Sequence, residues 1–172
     1  MIVRTVTDFP YLKPGYGYIP ETPETLFAVV GSGVVVTLYD SRVRLGGMTY
    51  YCFPCREPEK PSTSYYAAPA IISLIQEMLG LGACRDDIEA QIFGGACNPE
   101  HELYQADIHE QNARIGMEIL DKQNISVTSQ EVGGKRGRKI GFNTGTGETA
   151  VIKINSIRSI DWYPQSFVNF LE

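Results

Sequence analysis

The sequence predicts an α+β fold in which helices and β-sheets form separate layers. The apolar pattern gives strands, a helix, a strand, a helix and a final hairpin in chain order, and this arrangement is typical of α+β domains. No internal repeat or linker divides the 172 residues, of which 43% are hydrophobic and 20% are charged. A chain of this length buries roughly 70% of its unfolded surface in one core. We therefore predict that residues 1–172 form a single domain.

The first predicted hairpin lies within residues 27–54. The β-branched residues of Gly33–Tyr39 favour a strand, Asp40-Ser41-Arg42 favours a turn, and Met48–Phe53 has the pattern of a second strand after Gly46-Gly47. Side chains alternate along a strand. Two faces are therefore expected, with Met48, Tyr50 and Cys52 on one and Thr49, Tyr51 and Phe53 on the other.

The remaining elements follow from periodicity and from helix start and stop signals. Pro69 is tolerated in a first turn, so the regular part of the first helix is expected to begin near Ala67 or Ala68. Asp107 and Glu110 have the spacing of a capping box at the start of the second helix. The predicted elements are helices over Tyr65–Leu81 and Asp107–Gln123, strands over Asp87–Phe93 and Ile125–Val132, and a hairpin of Lys139–Asn143 with Thr149–Asn155.

Two flanking segments are harder to assign. Residues 1–24 form a Pro-, Tyr- and Gly-rich arm that we expect to be irregular, apart from a potential edge strand over Met1–Thr7. The arm packs over the core or binds a partner, and tyrosine suits both roles. Residues 156–172 form a C-terminal extension in which Ser159–Glu172 has the apolar spacing of a short amphipathic helix. Like the arm, the extension either covers the core or binds a partner.

Several motifs of the hairpin resemble the CheD family, the bacterial chemoreceptor glutamine deamidases. The family signature reads Gly-Ser-Cys, a valine strand ending in an acidic residue, a short basic loop, and Gly-x-Met-x-His with a later proline. Here Gly31-Ser32-Gly33, Asp40, Gly46-Gly47-Met48-Thr49-Tyr50 and Pro54 stand in that order. Gly33 and Tyr50 have the spacing of the family's nucleophile and base.

Further motifs extend the resemblance over most of Thr25–Ile154. Leu81-Gly82-Ala83 matches the end of a family helix, Gly94-Gly95-Ala96 resembles its strand-end glycine motif, and Gly133–Arg138 resembles its Gly-Gly-x-x-x-Arg turn. Ile108 and Asn112 match a helix start at which His109 replaces a glycine, and His109 is expected to lie on the helix surface. The resemblance implies the sandwich of mixed sheets and two long helices that the family shares with cytotoxic-necrotising-factor deamidases.

The positions at which the family signature has its catalytic residues hold other residues in this sequence. Gly33 stands at the cysteine, Tyr50 at the histidine and Phe27 at the threonine. Deamidation through a thioester needs a thiolate nucleophile and a proton acceptor. Glycine has no side chain, and a phenol with a pKa of ~10 is a poor base near neutrality. We therefore expect a pseudo-enzyme whose cleft is filled by the rings of Tyr50 and Phe27.

The resemblance also implies the residues that line the cleft, and the sequence offers two substitute nucleophiles. Cys97 is followed by His101 four residues later, and Cys52 lies ~6.7 Å along the strand from Tyr50. Either thiol is a candidate for relocated chemistry. The expected cleft residues are Ser32, Gly47, Met48, Gly94, Gly95 and Asn112.

The composition and the cysteine spacing limit which ligands and partners we expect. Four cysteines without an export signal favour free thiols, although Cys52 and Cys55 form a C-x-x-C pair for which zinc or redox roles are alternatives. A structural zinc site wants four ligands, so we expect neither a metal nor a cofactor. The net charge of −5 disfavours nucleic acid and anionic membranes as partners. The basic turn Lys135–Lys139 is expected to be solvated and able to meet an acidic partner.

Two functions are consistent with these features. The first is a non-catalytic chemotaxis protein that binds chemoreceptor cytoplasmic helices or a CheC-type phosphatase. The second is a protein-glutamine deamidase that uses Cys97 or Cys52 as its nucleophile. No apolar run approaches the ~20 residues of a membrane span, and no secretory signal is visible, so a cytoplasmic location is expected.

Overall fold

The computed structural model describes residues 11–163, so the predicted strand over Met1–Thr7 and residues 164–172 of the predicted C-terminal helix lie outside the described residues. Within this range, eight strands and three α-helices follow one another. They are β1 (Gly17–Tyr18), β2 (Thr25–Val30), β3 (Val34–Asp40), β4 (Leu45–Tyr51), α1 (Ala67–Gly80), β5 (Ile88–Gly94), α2 (Ile108–Lys122), β6 (Ser126–Val132), β7 (Gly137–Asn143), β8 (Thr149–Ile154) and α3 (Ser159–Trp162).

The strands form two sheets. The larger sheet has the order β1-β4-β3-β5-β6, in which only the β5–β6 pair is parallel, and the smaller sheet is an antiparallel β2-β7-β8 ribbon. A mixed sheet with two long helices confirms the predicted fold class. No helix among residues 11–163 is long and apolar enough to cross a membrane.

The five-stranded sheet is buried on both faces, which gives a helix–sheet–sheet sandwich. Val34, Val36 and Leu38 pack with α1 and α2 on one face, while Val35 packs toward the smaller sheet on the other. The predicted faces of the second strand hold for its regular part. Tyr51 faces the helices, and the opposite face carries Met48, Tyr50 and Cys52. Phe53 packs with that second group instead, because β4 ends at Tyr51 and the alternation ends with it.

Three local predictions need correction. The arm is not wholly irregular, because β1 pairs with β4 and places Gly17 opposite Thr49. Thr25–Val30 forms a strand that the sequence pattern did not reveal. The capping box at α2 is absent, since Asp107 has a left-handed φ of 66° and its side chain makes no capping hydrogen bond. A capping side chain needs an N-cap residue in the extended region, so the left-handed backbone prevents the motif.

Candidate functional site

The loop of residues 31–33, which we call the closed loop, joins β2 to β3 and carries Gly33, the residue whose spacing suggested the nucleophile position. A Cβ atom built on Gly33 would lie 2.8 Å from Cε2 of Tyr50 and 2.8 Å from the carbonyl oxygen of Tyr51. Both separations are shorter than real Cβ contacts, and one of them is to backbone. Glycine is therefore the residue that this packing accommodates at position 33.

Tyr50 is buried beside Gly33 at 2% exposure. Burial raises the pKa of the Tyr50 phenol well above its ordinary value, and the neighbouring Cys52 and Asp161 add to the increase against a smaller opposite effect of Arg158. The phenol therefore keeps its proton throughout the physiological pH range. A neutral phenol at this position is a hydrogen-bond donor rather than a general base.

Phe27 does not share the space of Tyr50, and this corrects the predicted filling of one cleft by both rings. In β2 the core side chains are Leu26, Ala28 and Val30, so alternation turns Phe27 to the outer face of the smaller sheet. There its ring packs 5.6 Å from the ring of Tyr11 and 5.8 Å from the amine of Lys139. Of the two rings, only that of Tyr50 lies beside Gly33.

The C-terminal segment, residues 158–163, covers the closed loop. The backbone N–H of Ser32 donates to the carbonyl oxygen of Trp162 at 3.0 Å. Gly31 lies so close beneath the segment that a Cβ atom there would be 2.6 Å from the carbonyl oxygen of Asp161 and 2.8 Å from the Trp162 ring. The side chains of Asp161, Trp162 and Tyr163 are all buried. Of the two readings of the extension, its described part is a cap on the core.

Ser32 and Asn112, two of the expected cleft residues, meet beneath the closed loop. The Asn112 side-chain N–H groups donate to the carbonyl oxygens of Ser32 at 3.0 Å and of Cys52 at 2.8 Å. This amide therefore joins α2 to the loop and to the end of β4. The Oδ1 atom of Asn112 and the Oγ atom of Ser32 are buried and have no hydrogen-bond partner among the described residues.

The other expected cleft residues divide between two places. Gly94 and Gly95 have positive φ values of 121° and 62°, and the N–H of Gly95 donates to the carbonyl oxygen of Gly33 at 2.8 Å. They therefore adjoin the closed loop. Gly47 instead contacts Ile19 and Leu74 on the helix side of the sheet. Met48 lies in the core between the sheets.

The candidate pair Cys97 and His101 is not joined by a hydrogen bond among the described residues. The Cys97 thiol lies within hydrogen-bonding reach of the Tyr104 and Tyr163 hydroxyls. The His101 Nδ1 atom accepts the N–H of Leu103 at 3.0 Å, and its Nε2 atom lies 2.9 Å from Ser159 Oγ. Both ring nitrogens of His101 are thus engaged elsewhere, which leaves neither of them free to activate Cys97.

Cys52, the other substitute nucleophile, is buried at 4% exposure. Burial, and to a smaller extent Asp161, raises the pKa of its thiol far above the usual range. A thiol in this state is a poor nucleophile, because the thiolate is the reactive form. The four cysteines are free, Cys55 is exposed, and residues 11–163 contain no cluster of three or more His, Cys, Asp or Glu side chains that could hold a metal ion.

The predicted solvated turn contains a buried cation that sequence analysis missed. Arg138 is 2% exposed, and its guanidinium donates to the carbonyl oxygens of Gly94 at 3.2 Å and Gly133 at 2.8 Å and to Glu131 at 3.1 Å. We call this set the glycine–arginine junction. Lys153 also pairs with Glu131, and the two cations lower the pKa of that carboxyl, Lys153 more than Arg138. The junction joins the ends of both sheets.

The covering residues Asp161 and Trp162 were also missed as part of the site. One signal was present in the sequence, because the chain's single tryptophan lies in the C-terminal extension beside Tyr163. Large aromatic side chains dominate the energetics of cores and interfaces. That signal indicates a packed segment, but it does not identify the loop on which the segment packs.

Comparison with known sequences now places these features in a family. The family described as "CheD chemotactic sensory transduction" matches residues 54–153. A relative from Sulfurimonas denitrificans is 33% identical over 139 residues, which cover 80% of this chain and 88% of the relative. One from Methanococcus vannielii is 31% identical over 147 residues, with 85% and 94% covered. One from Rhodospirillum rubrum is 32% identical over 152 residues, with 88% and 86% covered.

All three relatives carry the name "Probable chemoreceptor glutamine deamidase CheD". The match to the family covers more than half of the chain, and the similarity to individual relatives covers at least four fifths of it. The two sheets and two long helices fit the fold that the sequence motifs implied. This chain is a member of the CheD family of chemotaxis proteins.

Proposed function

We propose that this chain is a non-catalytic CheD-family protein that binds chemoreceptor cytoplasmic helices or a CheC-type phosphatase. Its relatives are named for action on chemoreceptor glutamines, which makes the receptor the first partner to test. The proposal separates recognition, which needs a surface, from deamidation, which needs a nucleophile and a base.

The packing around Gly33 is the observation that carries the proposal. Thioester formation needs a sulfur atom on a side chain that can approach the carboxamide carbon. Position 33 has no side chain, and even a Cβ atom there would be 2.8 Å from Tyr50 and from the Tyr51 backbone. The space that a nucleophile would need is therefore occupied by protein.

The covering of the closed loop supports the same proposal. A reactive carboxamide would have to reach the loop from outside, yet the N–H of Ser32 is already bonded to Trp162. Trp162 and Tyr163 are 6% and 0% exposed. The alternative function, a deamidase with a relocated nucleophile, needs an activated thiol, and neither the buried Cys52 nor Cys97 has an imidazole bonded to it in residues 11–163.

The test combines a binding and an activity measurement on the full chain. Purified protein is passed over immobilised chemoreceptor cytoplasmic fragments and, separately, over a CheC-type phosphatase, and retention is measured. The same receptor fragments are incubated with the protein in solution, and ammonia release is followed together with mass spectrometry of the receptor glutamines. We expect retention on at least one of the two partners and no conversion of glutamine to glutamate.

Two variants make the outcome interpretable. Cys97→Ala and Cys52→Ala remove the candidate thiols, and both variants should bind as the parent chain does. Ammonia release that either substitution abolishes would replace the proposal with the relocated-nucleophile enzyme. Loss of retention on both partners would remove the binding function itself.

A further inference from the structure

A groove runs along the open edge of the larger sheet, between α2 and β6. Its two ends are cavities, one of about 520 Å³ that includes Ala113 and Val132 and one of about 430 Å³ that includes Asp121 and Val127. Met117 lines both cavities, so they adjoin each other along the helix. We call this depression the α2–β6 groove.

The groove is as long as a short extended peptide. The helix α2 ends at Lys122 and β6 begins at Ser126, so the strand returns beside the helix in the opposite direction. The 15 residues of the helix span ~22 Å, and the 7 residues of the strand span ~23 Å. A segment of about six residues in extended conformation therefore fits between the two cavities.

The strand β6 presents unpaired backbone groups along the groove. It is the last strand of the larger sheet and pairs with β5, with one register shift. The N–H and C=O groups on its other side have no backbone partner among residues 11–163. Edge strands are commonly protected by lysine or proline, and β6 has neither, while its one charged residue, Glu131, pairs with Arg138 and Lys153. Such an edge is a template for an added strand.

The other sheet edges within the described range lack these features. The strand β1 has two residues, and the β2 edge is already bonded through the N–H of Leu12 to the carbonyl oxygen of Phe27. The strand β8 carries the exposed Lys153 and lines neither of the two cavities. The edge of β6 is therefore the one at which a helix-walled groove and free backbone groups coincide.

The residues that line the groove indicate which side chains fit it. Around Met117 and Val132 the lining is mostly apolar, and the charges of Glu110 and Arg114 oppose each other. The other cavity has Asp121 as the single ionisable residue of its lining. Aliphatic side chains suit the first cavity, and a lysine or arginine complements the second. A second copy of β6, which has neither lysine nor arginine, would leave Asp121 uncompensated.

We propose that the α2–β6 groove binds an extended segment of a partner protein, which adds to β6 as an antiparallel strand. Antiparallel pairing is the slightly more stable arrangement, and it places the N-terminal end of the segment at Val132 and the C-terminal end at Asp121. Alternate side chains of the segment lie in the groove, with aliphatic ones near Met117 and a basic one at Asp121. This inference goes beyond the proposed function, because a single extended segment is a different recognition element from a receptor helix.

The first test uses the peptide acetyl-Thr-Val-Thr-Val-Thr-Lys-amide, in which threonine alternates with the two valines and the lysine. The ¹⁵N-labelled full-length protein is titrated with this peptide, and its amide signals are followed by NMR. We expect saturable shifts at Ser126–Val132 with a dissociation constant of about 1 mM, which suits a short flexible peptide. Hydrogen exchange should slow at alternate amides of this strand. The other open edge, Thr149–Ile154, is the internal control and should not respond.

Two N-methylated peptides separate backbone pairing from side-chain contact. The N–H groups of successive strand residues point to opposite sides, so N-methylation of both valines removes donors from one side of the peptide. N-methylation of the second and third threonines removes them from the other side. The two peptides have the same side chains. The one that loses its donors toward β6 should bind at least roughly tenfold more weakly, and the other should stay within about threefold of the parent peptide.

A charge exchange tests the direction of the segment. Asp121→Lys should weaken binding of the lysine peptide about fivefold, and it should favour a peptide that ends in glutamate by a similar factor. Glu57→Lys is the matched control, since it changes the net charge equally and Glu57 lines neither cavity. This control should alter the affinity for neither peptide.

Three results would overturn the inference: no binding of the parent peptide, equal binding of the two N-methylated peptides, or equal shifts at β6 and β8. Protection of every β6 amide in the free protein would also overturn it. The groove would then belong to another segment of this chain or, if sedimentation shows a dimer, to a second copy. The peptides contain neither receptor nor phosphatase sequences, so either proposal can fail while the other stands.

Discussion

The closed loop and the glycine–arginine junction lie on either side of Gly94-Gly95 and are built from different chemistry. The closed loop is filled by neutral groups, since Tyr50 packs on Gly33 and Trp162 covers Gly31. The junction is ionic, with Arg138 bonded to Glu131 and to glycine carbonyls. One region is closed by packing against uncharged rings, and the other is held by a buried cation.

This difference shows which stabilising contacts involve position 33 and which do not. The junction joins the two sheets through backbone carbonyl groups, so its stabilising contacts do not depend on which side chain occupies position 33. The closed loop is held to the same glycine pair by the bond from Gly95 to Gly33. The Tyr50 ring and the C-terminal segment pack against this loop without altering the pairing of the sheets.

The largest expected effect comes from breaking the junction. Arg138→Ala should lower the free energy of unfolding by about 3 kcal/mol, because buried carbonyl oxygens lose a charged donor and a cavity remains. Arg114→Ala is the control, since that exposed pair should contribute less than about 0.5 kcal/mol. Urea denaturation of both variants measures the difference. Equal losses would mean that the junction does not stabilise the fold.

The next effect tests the tight packing of the closed loop. Gly33→Ala should cost about 2 kcal/mol by overpacking, and the cost should fall by about 1 kcal/mol in a Tyr50→His background, where the ring is smaller. Gly80→Ala is the matched control, because a Cβ atom there meets nothing within 4 Å. A double-mutant cycle by urea denaturation gives the coupling. A coupling of zero would show that Tyr50 does not close the space at Gly33.

Alkaline pH should lower the free energy of unfolding through the closed loop rather than through the junction. The folded-state pKa of Tyr50 is raised mainly by burial, so above pH ~10 the unfolded chain loses this proton while the folded chain retains it. The free energy of unfolding therefore falls as pH rises past that value. Tyr50→Phe removes the titrating group and should flatten this alkaline decline. An unchanged slope between parent and variant would contradict the expectation.

Acidic pH should lower the free energy of unfolding through the junction. This is the smallest of the four expected effects. Lys153 and Arg138 lower the folded-state pKa of Glu131, so its contribution is present above pH ~4.3 and is lost as pH falls below it. Glu131→Gln should cost less than about 1 kcal/mol at neutral pH, because the carboxylate is partly exposed. The cost should vanish in acid. A cost that persists at low pH in urea titrations would point to packing rather than charge.

Local signals predicted much of the fold. The valine run of β3 and the proline of α1 act within a few residues, and the structure has these elements where the pattern placed them. The second strand was placed too late, because Gly46 and Gly47 lie inside β4 rather than in a turn before it. The strand β2 was not predicted, because its largely apolar run lacks the alternation that identifies a half-buried strand. The left-handed backbone of Asp107 is likewise invisible to a motif defined by residue types.

The site was less predictable, because its parts come from distant residues. A run of cations is usually solvated, yet Arg138 is buried by its contact with Gly94, 44 residues away. The positions of Gly33 and Tyr50 follow from spacing, while the cover of Asp161 and Trp162 comes from the other end of the described chain. Phe27 was placed beside Tyr50 by family motif alone, and the alternation of β2 directs it elsewhere.

The bond between Ser32 and Trp162 has a consequence for biosynthesis. Ribosomes extend a chain at about 5–20 residues per second, so roughly ten seconds pass between the appearance of Ser32 and that of Trp162. The eight strands within residues 11–163 are translated before the segment that seals the loop. The closed loop therefore stays uncovered while the strands β3 to β6 of the larger sheet are synthesised, and its seal forms only after Trp162 has been added.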